Sequence, residues 1–181
     1  MTIVETRPAA AYETARKAMI DSQLRTSGIN DETVLRRMAA VPRENHVPDA
    51  ARGHAYMDRA IALGDGRFLA APAVQGAMLQ EAAPTEHDRV LLVDGGSLYL
   101  AELLRPLVAS LDVISAADAA AKSRKGDYTL VVVDGAAEQL PAALLQRLAE
   151  GGRVVTGIVD KGITRLATGR KVAGHVALVP L

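Results

Sequence analysis

The stretch from Arg89 to Leu107 constrains the fold of this chain more than any other part of the sequence. Val90 to Val93 is an unbroken apolar run, Gly95 and Gly96 follow it, and leucine and alanine recur at helical spacing from Leu98 onward. This order predicts a buried β-strand that turns directly into an α-helix. In a parallel α/β sheet, nucleotide-like ligands commonly bind at such a connection. The same pattern also occurs as a plain strand-to-helix turn, so alone it leaves ligand binding open.

The size and charge of the chain bound its class. It has 181 residues, which suits one domain, with 21 basic and 21 acidic residues and no long run of either sign. This balance does not favour nucleic acid or an anionic membrane as a partner. The chain has no cysteine, which excludes disulfides and cysteine nucleophiles and is typical of a reducing compartment. No apolar run approaches a membrane span and no signal peptide is recognisable, so we expect a cytoplasmic protein without membrane association.

The N-terminal part predicts a helical and loop extension over residues 9–72. Apolar residues at helical spacing predict a helix over Ala9–Arg25 that ends at Gly28, and a second helix capped by Asn30 or Asp31. Together they predict a helical hairpin.

Residues 41–72 follow this hairpin without a clear period. They carry three prolines and three glycines, which predicts a long loop of the functional or disordered kind. Pro72 then predicts the first turn of another helix.

The second half of the chain alternates between strand and helix patterns. The predicted strands are Leu111–Ser115, Tyr128–Val133, Arg153–Ile158, Ile163–Ala167 and Lys171–Leu178, with a predicted helix over Pro141–Glu150. The last two strands predict an antiparallel pair that turns at Gly169 and Arg170. The chain is therefore predicted to be an α/β protein with a mostly parallel sheet and an antiparallel C-terminal hairpin.

Four segments match one known family in order and spacing. They read MIDSQLRTSGINDETVLRRMAAVPRENHVP (residues 19–48), AYMDRAIALGDGRFLAAP (55–72), VLLVDGGSLY (90–99) and DYTLVVVDGAAEQLPAALLQRLAEGGRVV (127–155). They resemble that family's opening with VPRE, its Y-x-D-x-P-L-P-I-G-x-G-Q-T-I-S-x-P motif, its glycine loop V-L-E-I-G-T-G-S-G-Y and its final A-A-x-x-x-P segment. The chain thus resembles the protein-L-isoaspartate O-methyltransferase family.

This resemblance implies a class I, Rossmann-like methyltransferase fold for residues 1–181 as one domain. It also implies S-adenosylmethionine as cofactor and, as acceptor, the isoaspartyl carboxylate of a damaged protein or peptide. Gly96, Ser97 and Tyr99 match the family's glycine loop and are the predicted cofactor-binding residues. The sequence assigns no catalytic residue and no oligomeric state, and its scattered histidines predict no metal site.

Other positions of the glycine loop depart from the family. Leu92 stands where the family has an acidic residue, and Asp94 and Leu98 replace two of its glycines. Their side chains would enter space that the cofactor fills. Asp94 would also bring a carboxylate near the cofactor's own, at a cost of about 1 to 4 kcal/mol. We therefore expect weak or absent cofactor binding.

The segment after the second predicted strand has also changed. The family's ribose-binding acid falls near Ala116 or Ala117, and Asp118 stands one or two positions late. Residues 116–127 leave room for one short crossover helix but not for the family's third strand beside the adenine. We therefore expect the strand Leu111–Ser115 to form the edge of the sheet.

The acceptor motif has lost its polar donors. The family's Gln-Thr-x-Ser becomes Arg67, Phe68 and Ala70. Arg67 can pair with a carboxylate and is the predicted substrate-binding residue, although an arginine beside a loop is often only solvated. His46 is expected to pack in place of an aromatic residue, and the neighbouring Arg-Glu pair to form an ion pair.

Two functions remain open at the level of the sequence. One is an impaired S-adenosylmethionine-dependent methyltransferase that acts on isoaspartyl proteins. The alternative is a non-catalytic binding or scaffold protein that keeps the methyltransferase fold.

Overall fold

The computed structural model describes residues 9–121 and 126–181. The chain divides into two compact units, of which the first runs to Gln80 and includes Gly96–Tyr99. The second comprises Glu81–Gly95 and Leu100–Leu181. A single domain over residues 1–181, with an extension over 9–72, stays a prediction. Residues 1–8 of that domain and residues 122–125 of the expected crossover lie outside the described part.

Short helices and a small hairpin build the first unit. Its elements are α1 (Ala9–Met19), α2 (Glu32–Ala40), β1 (Ile61–Gly64) and β2 (Arg67–Leu69). Helix α3 (Pro72–Ala82) begins at the predicted proline and belongs to this unit as far as Gln80. The helical path of α1 continues through a π turn and a 3₁₀ turn to Gly28, whose φ of 84° ends it as predicted. Of the two predicted caps of α2, Asp31 is the one observed, because its Oδ1 accepts hydrogen bonds from the Thr33 and Val34 amides.

The prediction of a long irregular loop over residues 41–72 is wrong. Two 3₁₀ segments, Arg43–His46 and Asp49–His54, and the antiparallel pair of β1 with β2 occupy most of it. Each of these elements spans three to six residues. Elements this short do not repeat an apolar position often enough to leave a period in the sequence.

A six-stranded sheet forms the second unit. Its strands are β3 (Arg89–Val93), β4 (Ser110–Ile114), β5 (Tyr128–Ala137), β6 (Leu148–Asp160), β7 (Ile163–Val172) and β8 (His175–Pro180). The order is β4-β3-β5-β6-β7-β8, with parallel pairing as far as β6 and antiparallel pairing beyond it. The predicted α/β fold class is confirmed. Among the described residues no strand lies outside β4, which confirms its predicted edge position.

The core of this unit explains the apolar run in β3. Val90 and Leu92 are fully buried, and Leu91 packs in an apolar cluster with Val131 of β5 and Val154 of β6. A strand buried on both faces needs apolar residues at consecutive positions. The remaining helices are α4 (Tyr99–Leu104), α5 (Ala116–Ala120) and α6 (Ala142–Gln146). None of the described helices combines the length and apolar character that a membrane crossing needs.

The C-terminal turns differ from the prediction. Strand β7 runs straight through Gly169, and the turns lie at Lys161-Gly162 and Ala173-Gly174, with φ near 50° and 80° in each. Two consecutive left-handed residues are the signature of a type I′ hairpin. A Cβ on Gly169 would lie 2.7 Å from the Ala177 carbonyl oxygen. That glycine therefore serves a close approach between strands rather than a turn.

The helix predicted over Pro141–Glu150 is also too long. It ends at Gln146, because Leu148 already pairs with Tyr128 as the first residue of β6. The Gly151-Gly152 pair lies within β6, at a register shift, instead of ending the helix.

Candidate functional site

In the sheet unit, the candidate site begins where β3 ends. The Asp94 amide donates to the Ile114 carbonyl oxygen at 2.9 Å, so the backbone still follows β4 at this point. A Cβ on Gly95 would lie 2.6 Å from the carbonyl oxygen of Asp134. Gly95 is therefore required for the close approach between this loop and β5.

Asp134 is a site residue that sequence reasoning missed. It is 7% exposed and follows Val133, which pairs with Val93 in the register of β5 with β3. Asp94 and Asp134 therefore hold equivalent positions, each directly after the last residue that pairs between β3 and β5. The signal in the sequence was an aspartate directly after each of two apolar runs. Together they place two carboxyl groups at this edge of the sheet.

Asp118 has a structural role in this unit. Its Oδ2 accepts hydrogen bonds from the Ser115 hydroxyl at 2.7 Å and the Ser115 amide at 3.4 Å, while its own amide donates to Ser115 Oγ. This reciprocal pair is a capping box at the start of α5. The hydrogen bond from the Ser115 hydroxyl lowers the pKa of Asp118. The capping box therefore explains why an aspartate stands at this position, without a role in ligand binding.

The rest of the glycine loop, Gly96–Tyr99, belongs to the first unit. Ser97 Oγ accepts a hydrogen bond from the Tyr99 amide at 3.1 Å, a local contact that orders the turn into α4. Leu98 has a φ of 58° and is 53% exposed. The prediction that Leu98 starts the apolar face of the helix is therefore wrong, and Leu100 and Leu103 are buried instead.

Tyr99 is fully buried in the first unit. The Arg43 guanidinium lies over its ring, 5.0 Å from the centroid, and His46 meets it edge-on at 5.2 Å. Burial raises the pKa of Tyr99. His46 also places Nδ1 2.9 Å from the Ser97 carbonyl oxygen. The expected packing of His46 is confirmed, and the hydrogen bond adds a role in holding the loop.

Arg43 organises the segments around Tyr99. Its guanidinium donates to the carbonyl oxygens of Ala55 and Ala70 and to the side-chain oxygen of Gln75. Glu44 accepts instead from the Tyr56 hydroxyl and from Arg16. Each of the two residues thus has partners of its own, and the expected ion pair between them stays a prediction. A buried arginine with this many acceptors fixes the backbone on either side of it.

Arg67 lies against the glycine loop. A Cβ on Gly96 would lie 3.0 Å from Arg67 Cδ and 3.1 Å from Nη1. The Arg67 side chain is 54% exposed and is 3.4 Å from Asp65, which is 91% exposed. Phe68, the next residue of β2, is 56% exposed. The structure thus brings together Arg67, Gly96, Ser97 and Tyr99 in one unit, while their roles in binding stay predictions.

The described residues contain no cluster of three or more metal-binding side chains close enough to hold an ion. The site offers hydrogen-bond donors, carboxyl groups and the half-exposed guanidinium of Arg67.

Comparison with known proteins places this geometry in a family. The model of the protein-L-isoaspartate(D-aspartate) O-methyltransferase family matches residues 14–122. The chain is 31% identical to the protein-L-isoaspartate O-methyltransferase of Methanoculleus marisnigri, over 92% of this chain and 87% of the relative. It is 36% identical to that of Roseiflexus castenholzii, over 80% of this chain and 77% of the relative.

Solved structures support the fold independently. A Plasmodium falciparum structure, described as a protein-L-isoaspartate O-methyltransferase in complex with S-adenosyl-L-homocysteine, matches with a TM-score of 0.74 at 17% identity, over 94% of both chains. A second protein-L-isoaspartate O-methyltransferase matches with a TM-score of 0.72 at 16% identity, over 92% of this chain and 63% of the other. The family match and the curated relatives together decide the assignment: the chain belongs to the protein-L-isoaspartate O-methyltransferase family.

Proposed function

We propose that this chain is an S-adenosylmethionine-dependent protein-L-isoaspartate O-methyltransferase whose cofactor binding and methyl transfer are strongly impaired. Family membership supports the reaction class, methylation of isoaspartyl carboxylates in damaged proteins. The observation that carries the impairment is the conformation of Leu98. The absence of cysteine supports the cytoplasm as its compartment.

Leu98 weighs against cofactor binding through its backbone and its side chain. Its φ of 58° is a left-handed value that glycine adopts easily and that costs leucine about 1 to 2 kcal/mol. The backbone thus suits the glycine that the family carries at this position. The leucine side chain is 53% exposed and projects from a loop where a glycine would leave room for a ligand.

The two aspartates beside the end of β3 weigh against the cofactor as well. S-adenosylmethionine carries a carboxylate, and a like charge a few ångströms away costs about 1 to 4 kcal/mol in a partly dry site. Asp94 and Asp134 follow Val93 and Val133, the last residues that pair between β3 and β5. The aspartate at position 94, in place of the family's glycine, therefore weighs against a ligand carboxylate in this part of the loop.

The ribose and adenine contacts are the third loss. Asp118 is engaged in the capping box with Ser115, so it does not replace the family's ribose-binding acid in this proposal. Strand β4 is the edge of the sheet in the described residues. The residues present therefore fit S-adenosylmethionine poorly.

On the acceptor side, Arg67 is the proposed binding residue. A carboxylate is already a nucleophile at neutral pH, so methyl transfer depends on positioning and water exclusion rather than on a strong base. The half-exposed Arg67 guanidinium can pair with an acceptor carboxylate, because its contact with the exposed Asp65 is weak. Phe68 and Ala70, which stand where the family has polar residues, supply no side-chain donors.

Calorimetry with S-adenosylhomocysteine and a methyl-transfer assay on an isoaspartyl peptide test this proposal. Three lost contributions of about 1.4 kcal/mol each would weaken binding about a thousandfold, which moves a micromolar Kd towards millimolar. We expect methyl transfer to be correspondingly slow. A low micromolar Kd with rapid methyl transfer would contradict the impairment.

The double variant Asp94→Gly with Leu98→Gly tests whether the loop is the cause. We expect it to gain affinity for S-adenosylhomocysteine, whereas the control Leu98→Ala, which keeps a Cβ at positive φ, should gain less. Restored binding with methyl transfer would assign the defect to the loop. A double variant that folds and still does not bind would instead point to the strand that is missing beside β4 in the described part of the chain.

A further inference from the structure

Gly96 is the one glycine of the loop with a left-handed φ, 106°. A glycine at such a position exposes its α-carbon, so another group can approach the backbone closely. In the family this approach is implied for the cofactor. In this chain the space beside the α-carbon already contains the Arg67 side chain, since a Cβ there would lie 3.0 Å from Cδ and 3.1 Å from Nη1.

The strand geometry of β2 explains why Arg67 lies there. Side chains alternate between the two faces of a strand, so Arg67 shares a face with Leu69 and not with Phe68. Leu69 is fully buried, while Phe68 is 56% exposed. Arg67 therefore lies on the face of β2 that Leu69 occupies, although its own side chain is 54% exposed, and its Cδ and Nη1 lie beside Gly96.

We propose that Arg67 is a built-in cover of the glycine loop, which competes with a ligand for the surface of Gly96. This inference deepens the proposed function and rests on it, because it names a residue outside the loop that limits binding. The Asp65 carboxylate, 3.4 Å from Nη2, restrains the guanidinium only weakly, since both groups are exposed to solvent. The cover can therefore move.

A movable cover lowers affinity by a definite factor. If Arg67 covers Gly96 for about nine-tenths of the time, the apparent Kd of a competing ligand rises about tenfold. Pairing with an acceptor carboxylate would require a different position of the same guanidinium. An acceptor on Arg67 would then uncover Gly96.

The test uses the purified full chain, the Arg67→Gln variant, which restores the residue type of the family, and Arg67→Ala. The matched control is Arg59→Gln, because Arg59 is an exposed arginine of the same unit. Hydrogen exchange of the Gly96 and Ser97 amides reports the cover without any ligand. Calorimetry with S-adenosylhomocysteine reports the competition.

We expect faster amide exchange at Gly96 and Ser97 in both Arg67 variants, and an affinity gain of about tenfold. Arg59→Gln should match the unchanged chain in both measurements. Unchanged exchange, or no detectable gain in affinity, overturns the cover. Tight binding by the unchanged chain would instead contradict the impairment proposed above. The two outcomes are separable, because the unchanged chain tests the impairment and the Arg67 variants test the cover.

Discussion

The guanidinium of Arg153 holds the carboxylate of Asp88 through two hydrogen bonds, from Nη1 to Oδ1 at 2.9 Å and from Nη2 to Oδ2 at 2.7 Å. Asp88 is 4% exposed. Arg153 also donates to the carbonyl oxygens of Ala82 and Ala83. This arginine of β6 thus binds the segment that leads into β3 and satisfies carbonyl groups at the end of α3.

We expect Asp88→Asn to destabilise the fold strongly. Removing one partner of a buried, hydrogen-bonded ion pair costs about 3 to 5 kcal/mol. The matched control is Asp127→Asn, whose pair with Arg89 is exposed on both sides and should cost less than about 1 kcal/mol. Urea unfolding of both variants measures the difference. Equal losses in the two variants would show that burial does not set the strength of the Asp88 pair.

The same pair predicts a pH dependence. Burial alone would raise the pKa of Asp88, but hydrogen bonds from Arg153, Thr129 and Thr85 outweigh it and hold the pKa far below its ordinary value. A lowered folded-state pKa contributes stability that is complete above the unfolded value, about 4, and is lost as pH falls towards the folded value.

The stability difference between the unchanged chain and Asp88→Asn should therefore be constant above about pH 5 and shrink below about pH 4. Urea unfolding across this range measures it. The pKa of Asp118 is also lowered, but this residue is present in both proteins and cancels in the difference. A difference that persists undiminished at the acid end would contradict the role of the Asp88 charge.

Asp118→Asn should leave the affinity for S-adenosylhomocysteine unchanged. The carboxylate is occupied by the Ser115 hydroxyl and amide, so its role is to cap α5. Ser115→Ala, which removes the other half of the capping box, should likewise lower thermal stability without changing affinity. A selective loss of affinity in Asp118→Asn would assign this residue to the ribose after all.

Leu98→Gly should be tolerated or stabilising. Relief of the left-handed backbone offers about 1 kcal/mol, and the half-exposed side chain contributes little burial. Leu103→Gly is the control in the helix that follows Leu98, where loss of a fully buried leucine should cost more than about 3 kcal/mol. Thermal unfolding of both variants measures the contrast. A large destabilisation by Leu98→Gly would mean that the Leu98 side chain is packed against the protein and not exposed to solvent.

Ala173→Asn should stabilise the last hairpin. Ala173 has a φ of 50° at the first central position of a type I′ turn, where asparagine is preferred. We expect a gain of about 0.5 to 1 kcal/mol by thermal unfolding. The control Ala177→Asn lies in the extended strand β8 and should give no gain. An equal gain in stability in both variants would show that the turn conformation at Ala173 is not the cause of the gain.

Much of the fold was predictable because its elements are locally encoded. The apolar run of β3 leads into Gly95 and the helix, Asp31 caps α2, and Pro72 begins α3, each as residue type and spacing predict. The edge position of β4 was predicted from the length of the crossover segment that follows it. A crossover that is too short for another strand cannot place one outside it.

The errors arose where tertiary contacts decide the local structure. The sequence predicts a turn at Gly169. The position instead requires glycine because the Ala177 carbonyl oxygen approaches its α-carbon across the hairpin. The real turns depend on alanine and lysine at positive φ, which composition does not reveal. Similarly, nothing local to Arg43 predicts that it lies buried over Tyr99.

The candidate site divides in the same way. Its loop residues were found by their motif, whereas the burial of Asp134 and the hydrogen bond from His46 depend on strand register and on chain segments far apart in sequence. Arg67 could be assigned to the loop by its motif. Its position over Gly96 required coordinates, because strand alternation decides which way the side chain is directed.

The two type I′ turns also bear on how the sheet assembles. They join residues only three positions apart, Asp160 with Ile163 and Val172 with His175, and hairpins of this kind form in about 1 to 10 μs. Pairing of Val90 with Leu130 must instead close a much longer segment of chain, at a greater entropic cost. We expect the meander of β6, β7 and β8 to order first and to offer β6 as the template for β5. The sheet would then assemble in the direction opposite to the sequence.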